Sequence, residues 1–221
     1  LSEAVKTPPP ADVLFDDAFR DAFSSLLNLR RNEVSFSPEP VEETALQAIF
    51  EDMLTAPSVG LSQPWKFVRV ESAERRAAVH EIFLETREKE AETIAPARRE
   101  AYGKLGLAGL DTAPCHVALF LDPSENKGGG LGVSHAPLAP HYSVAIAAYT
   151  LWLSARAHNL AAGWVSILDE AKVKRALDVP EAWELVAYMC IGHPRERLDA
   201  PDLEKKDWSA REELEAFLLR R

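Results

Sequence analysis

Three groups of residues in this sequence could do chemistry. Arg30-Arg31 closes a helical stretch. Two adjacent guanidinium forks match the oxygens of a phosphate, but a basic pair at a helix C-terminus also compensates the macrodipole, and spacing alone leaves both readings open. Ser58 to Gln63, held between Pro57 and Pro64, puts two hydroxyls and an amide in one loop beside Trp65. Ser166 is the one hydroxyl in the apolar run Gly163-Trp164-Val165-Ser166-Ile167-Leu168, where it could hydrogen-bond a reacting atom. Metal chemistry is not expected. The six histidines, at 80, 116, 135, 141, 158 and 193, are scattered, and no HxxxH, HExxH or CxxC pattern occurs. There is no GxSxG elbow. Gly128-Gly129-Gly130-Leu131-Gly132 lacks the Lys-Ser/Thr of a phosphate loop and suits a flexible lid.

Ser166 must be presented by the segment before it. Between Val144 and Ala155 only Thr150 and Ser154 are fully polar. A helix apolar on every face is buried or spans a membrane, and Arg156 and His158 cut this one short of the roughly 20 residues a span needs. A long buried central helix is therefore predicted over 142–160, stopped near Gly163 in the left-handed conformation. Its aromatic residues are assigned to the core. Trp164 to Ile167 alternates as a short strand. Upstream, apolar residues at 15, 18, 19, 22, 23, 26, 27 and 29 predict a helix, with Arg30 and Arg31 in its last turn. Further helices are expected over 41–54, over 72–102 with a break at Pro96, and over 170–177 with Asp169 as N-cap. Strands are expected over 66–70, 115–121 and 183–192. The order α-α-β-α-β-α-β-α-β is neither simple βαβ alternation nor a bundle, so the fold class is α+β. Residues 1–14 read as a flexible lead-in and 15–221 as a single domain.

A net charge of −10 argues against nucleic acid or an acidic membrane as partner, since both need a basic face. Cys115 and Cys190 sit in apolar runs and read as buried free thiols. The chain opens on Leu1 with no signal-peptide pattern, and the cytoplasm is the expected compartment.

Taken together, four stretches resemble the nitroreductase-like FMN flavoproteins, and within them the BluB-type 5,6-dimethylbenzimidazole synthases. They are Arg30-Arg31, the APSVGLSQPWKFV segment at 56–68, the glycine loop leading into Tyr142-Ser143-Val144, and GWVSIL at 163–168. The tail matches more loosely through Leu203-Glu204 and 207–211. The resemblance spans about 15–211. It implies a sandwich in which a mainly antiparallel sheet is flanked by helices, and a homodimer with FMN at the interface. Arg30 and Arg31 would take the FMN phosphate, with Arg211 a further candidate. Ser58 and Gln63 would contact the flavin or its ribityl chain, and Gly163 and Trp164 would lay backbone against the ring. Ser166 would be catalytic. In that branch reduced FMN reacts with O2 and is itself cleaved, giving the lower ligand of vitamin B12.

The sequence departs from the pattern at three positions. The branch carries aspartate after the arginine pair, where this chain has Asn32. Asparagine can take the same catalytic and cofactor-binding place through hydrogen bonds, but it does not carry a proton as a carboxylate does. Glu33 could substitute only with a backbone shift. Leu61 stands where many nitroreductases have asparagine, and Leu138 where an acid is expected. Three functions follow: a synthase that consumes FMN with NAD(P)H as ultimate reductant and a flavin reductase as candidate partner; an NAD(P)H-dependent nitro or quinone reductase that retains FMN; or a flavin-storage protein with little turnover.

Overall fold

All seven positions of Cys115–Leu121 (β2) are buried, so both faces of this strand are covered. Its alternation sorts the core into two halves. Cys115, Val117, Leu119 and Leu121 join one apolar cluster, and Ala118 and Phe120 join the other. The computed structural model describes residues 12–106 and 109–221. The expected lead-in thus lies, except for 12–14, outside the described residues. β2 pairs antiparallel with Trp65–Arg69 (β1) and with Glu184–Gly192 (β4), and β4 pairs antiparallel with Ala161–Val165 (β3). The sheet order is β1-β2-β4-β3.

Helices cover both faces. Asp17–Leu29 (α1), Glu43–Met53 (α2), Ala73–Thr93 (α3), Arg99–Gly103 (α4), Ala139–Ala157 (α5), Glu170–Leu177 (α6) and Asp202–Lys205 (α7) complete the regular elements. α2 and α5 pack on one face, α3 and α6 on the other. The result is the expected α+β sandwich, and the element order holds. Local signals explain most of it. Asp16 caps α1 by accepting from Phe19 N at 2.8 Å, Ser72 caps α3, and Asp169 caps α6. α3 stops at Thr93, just before Pro96. No described helix is long and apolar enough to cross a membrane.

α5 departs from expectation at both ends. It begins at Ala139, because Pro140 fits a first helical turn. It ends at Ala157, because Asn159, not Gly163, adopts the left-handed conformation (φ 61°). The amides of Asn159 and Leu160 then reach back to the carbonyls of Arg156 and Ala155, which is a Schellman closure made with asparagine. Gly163 lies inside β3, which starts three residues earlier than the strand expected over 164–167. What demands glycine there is a close approach. A Cβ on Gly163 would stand 2.0 Å from the carbonyl oxygen of Glu33. The Asn32–Glu33 backbone runs parallel beside Ala162, with Glu33 N donating to Ala162 O at 3.2 Å. Two buried serines of α5 tie it to its neighbours, whereas Thr150 donates back within the helix to Ile146 O. Ser154 donates to Asp52 on α2 at 2.6 Å, and Ser143 accepts from Val59 N at 3.0 Å.

Two measurements follow. Gly163→Ala forces Cβ into backbone and should lower stability by roughly 1–3 kcal/mol or more in urea denaturation; an unchanged midpoint would refute the close approach. His116 is fully buried, its Nδ1 3.0 Å from the Tyr188 hydroxyl. Burial and then Arg76 lower its pKa from 6.5 to about 4. The unfolded chain therefore takes up a proton first, so this contribution is intact above 6.5 and is lost as pH falls toward 4. Stability should drop by up to about 1.4 kcal/mol per pH unit in that window, and His116→Gln should flatten the slope.

Candidate functional site

α1 closes with Arg30 N on Leu26 O, and the chain then turns extended. The arginine pair thus sits just past the helix, not in its last turn. The two side chains are used differently. Arg31 spends its terminal nitrogens on carbonyls, with Nη1 to Asn28 and Arg30 and Nη2 to Asp199 at 2.9 Å. It ties the 196–200 segment to the end of α1. Arg30 instead lies over the Trp152 ring at 4.4 Å, with Tyr149 at 5.9 Å. Trp152 is fixed by donating Nε1 to Arg31 O at 3.1 Å. Burial, then Arg211, then Arg30 hold Arg31 below the usual arginine range. Three cations therefore crowd one spot.

That spot opens into a cavity of about 330 Å³. Six of the nine residues singled out from the sequence line it: Arg30, Arg31, Asn32, Trp164, Ser166 and Arg211. Gly163 stands directly behind, where its close approach lets β3 and the 32–34 segment share one wall. Ser166 follows β3 and is exposed, and its hydroxyl has no partner among the described residues. Asn32 Oδ1 accepts from Trp164 N at 2.7 Å. Its amide NH2 is the part left for a ligand, and Trp164 N is already used. Glu33 does not replace the missing aspartate. It is buried, accepts from Val34 N and Ser35 N at 3.0 Å, and lines a neighbouring smaller cavity. Burial raises its carboxyl above the ordinary range.

Ser58 and Gln63 are not brought to this cavity within one chain. Their loop is tied to Ser143 near the start of α5, whereas Arg30 rests on Trp152 nine residues later, about 13 Å along the helix. The loop is tightly wound. Gly60, Leu61 and Gln63 all have positive φ, a strain typical of ligand clamps when it falls on non-glycine residues. Ser58 Oγ accepts from Gln63 N at 3.0 Å, and Lys127 donates to Gln63 Oε1. The glycine loop packs onto it by close backbone approach. A Cβ on Gly128 would lie 2.8 Å from Gly60 O.

Sequence reasoning missed Trp152 and Tyr149, which were assigned to the core. Their i, i+3 spacing on a helix was the available signal, but their partner Arg30 lies over a hundred residues away. It also missed Val34, Gly106, Pro201 and Asp202, which line the cavity, and singled out Leu203 only as part of the tail's resemblance. Among the described residues no metal-ligand cluster exists.

The profile of the nitroreductase family matches residues 30–193. A 5,6-dimethylbenzimidazole synthase of Rhodospirillum rubrum is 42% identical over 198 residues, covering 90% of this chain and 94% of that protein. A protein of the same name from Rhodobacter capsulatus is 39% identical, covering 88% and 94%. Among solved structures, oxidized iodotyrosine deiodinase bound to FMN and 3-iodo-L-tyrosine superposes with a TM-score of 0.67 at 19% identity, covering 79% of this chain and 91% of that one. That last likeness speaks for the fold.

Proposed function

The chain belongs to the nitroreductase family and is an oxidoreductase, and we propose that within the family it acts as a 5,6-dimethylbenzimidazole synthase, with reduced FMN and O2 as substrates. The observation that carries this is the cavity that Arg30, Arg31, Arg211 and Ser166 line together. Its donor set fits FMN. Arg30 keeps its terminal nitrogens free on the Trp152 platform, Arg211 faces the same space, and the Nε atoms of Arg30 and Arg31 are buried without a partner. These groups suit a phosphate, with Arg31 as the strut that holds them. The flat wall of β3, made possible by Gly163, suits a planar ring.

FMN supplies two-electron redox chemistry when bound, and in the synthase reading it is also consumed. NAD(P)H is the ultimate source of electrons, delivered by a separate flavin reductase. The chain's own part is placement. Ser166 lines the cavity with an exposed hydroxyl that can donate one hydrogen bond to the ligand. Asn32 offers two N–H donors from an amide whose oxygen is locked on Trp164. A second reading, an NAD(P)H-dependent nitro or quinone reductase that retains FMN, is favoured by that same lock, because an amide donor cannot accept a proton.

The site is incomplete in one chain, and we infer a homodimer. Tyr142, Ile146 and Tyr149 form one α5 stripe that is 58%, 41% and 40% exposed. Phe19 and Phe23 on α1, with Phe15 just before its cap, form another, and α1 buries no residue of its own. A second copy covering these stripes would bring its 58–63 loop toward the cavity.

The deciding experiment incubates the protein with FMN, NAD(P)H, a flavin reductase and air, followed by mass spectrometry. Loss of FMN with appearance of dimethylbenzimidazole is expected; intact FMN with only hydrogen peroxide formed would move the function to the retained-cofactor reductase. Ser166→Gly should keep FMN affinity and lower product yield, whereas equal yield would remove Ser166 from the chemistry. Light scattering at micromolar concentration should give twice the chain mass of 24.5 kDa, and a monomer would contradict the interface.

A further inference from the structure

Arg30 and Arg31 form a ridge between two cavities, and only one of them has been given a ligand. The other, about 210 Å³, lies between the end of α1, the C-terminal end of α5 and the 194–198 segment. Arg156 and Arg197 line it, together with the outer side of Arg30 and Arg31. Its floor is apolar, with Leu160 and Ala162 almost fully buried. Arg156 is held below the usual range by burial and then by Arg197, with no carboxylate contributing in the other direction. Among the described residues neither Arg156 nor Arg197 forms an ion pair or donates a side-chain hydrogen bond. Glu33 and Glu196 line the same space, but Glu33 is turned onto the amides of Val34 and Ser35, and among the described residues Glu196 forms no ion pair with either arginine.

This arrangement is unusual for a chain with ten more acidic than basic side chains. Two carboxylates share the cavity wall, yet neither pairs with Arg156, whose one resolved charged neighbour is Arg197. Arg156 alone could be serving the α5 macrodipole, but that does not explain Arg197, which comes from a different segment and adds repulsion. Nor does the FMN phosphate answer for both cavities. One phosphate carries at most two charges, and Arg30 and Arg211 already meet it on the far side of the ridge.

We propose that this second cavity is an anion site of its own, taking a phosphate monoester whose organic part rests on the Leu160–Ala162 floor. Arg156 and Arg197 grip the phosphate, and two guanidinium groups match its two charges. The organic part is small, because the space is about two-thirds of the neighbouring cavity. The site goes beyond the synthase reading and stands without it, since none of its gripping residues lines the FMN cavity.

The test is isothermal titration with phenyl phosphate and with inorganic phosphate, on protein first saturated with FMN and then on FMN-free protein. Phenyl phosphate should bind the FMN-saturated protein with one site per chain, and more tightly than inorganic phosphate. Equal affinities would keep the site but assign it to free phosphate. Arg156→Gln and Arg197→Gln should each weaken phenyl phosphate by at least about tenfold and leave FMN affinity, read by fluorescence quenching, within about twofold. Arg211→Gln should do the reverse. If the FMN reading is wrong, FMN fails to bind while phenyl phosphate still titrates against Arg156 and Arg197. Absence of phosphate binding once FMN is saturating, or wild-type affinity in the Arg156→Gln/Arg197→Gln double variant, would overturn the proposal.

Discussion

The whole site hangs on one backbone contact. The Glu33 carbonyl presses against the α-carbon of Gly163 where no side chain fits. That contact lets the chain leaving α1 lie against β3, so that residues far apart in sequence share a wall. It sets Asn32 within reach of Trp164 N, and it sends Arg30 and Arg31 toward α5. A hydrogen bond alone would not demand this register, because a one-residue slip in an extended segment still finds amides to pair. The steric requirement for glycine does, since only one position of β3 can receive the carbonyl.

From that register the charge distribution follows. Arg30 cannot find a carboxylate, so its cation rests on the π-face of Trp152. Such a contact stabilises the side chain while leaving the N–H edge free, which is what a binding arginine requires. Arg31 takes the opposite course and spends its terminal nitrogens on carbonyls. Two adjacent residues of the same type thus divide the labour of holding and binding. Burial first, and then the charges of Arg211 and Arg30, lower the affinity of Arg31 for its proton, and a bound anion would relieve the repulsive part.

Much of the fold was legible because its signals are local. The cap at Asp169, the break at Pro96 and the apolar run of β2 are each contained in a few residues. The end of α5 was misread because Gly163 is the better left-handed residue by propensity, yet Asn159 stands where the helix must turn into β3. Propensity yields there to the position of the strand. The site was legible in part for the same reason. Residues near Arg30 and Ser166 were found, but Trp152 was not, since its role depends on a side chain that reaches it only after the chain has folded. The placement of Ser58 and Gln63 at the other end of α5 could not be read from one sequence, because it depends on helix length and on where Ser143 binds the loop.

Asn32 links these points to the chemistry. An aspartate in its place would have one oxygen on Trp164 N and the other facing the cavity, ready to accept a proton. The amide makes the same bond with its oxygen and turns a donor toward the ligand instead. The fold is indifferent to the change, since the bond to Trp164 survives it. The reaction is not, because a group that could take a proton has become one that can only offer a hydrogen bond. Ser166 and Asp202 are further hydrogen-bonding side chains that line the cavity, and Asp202 accepts from Lys206 Nζ at 2.8 Å. A proton that must leave the ligand can pass through the Ser166 hydroxyl, through water admitted to the site, or to Asp202 at the cost of its ion pair. The choice between consuming FMN and retaining it therefore rests on how these groups take up the task that Asn32 cannot perform.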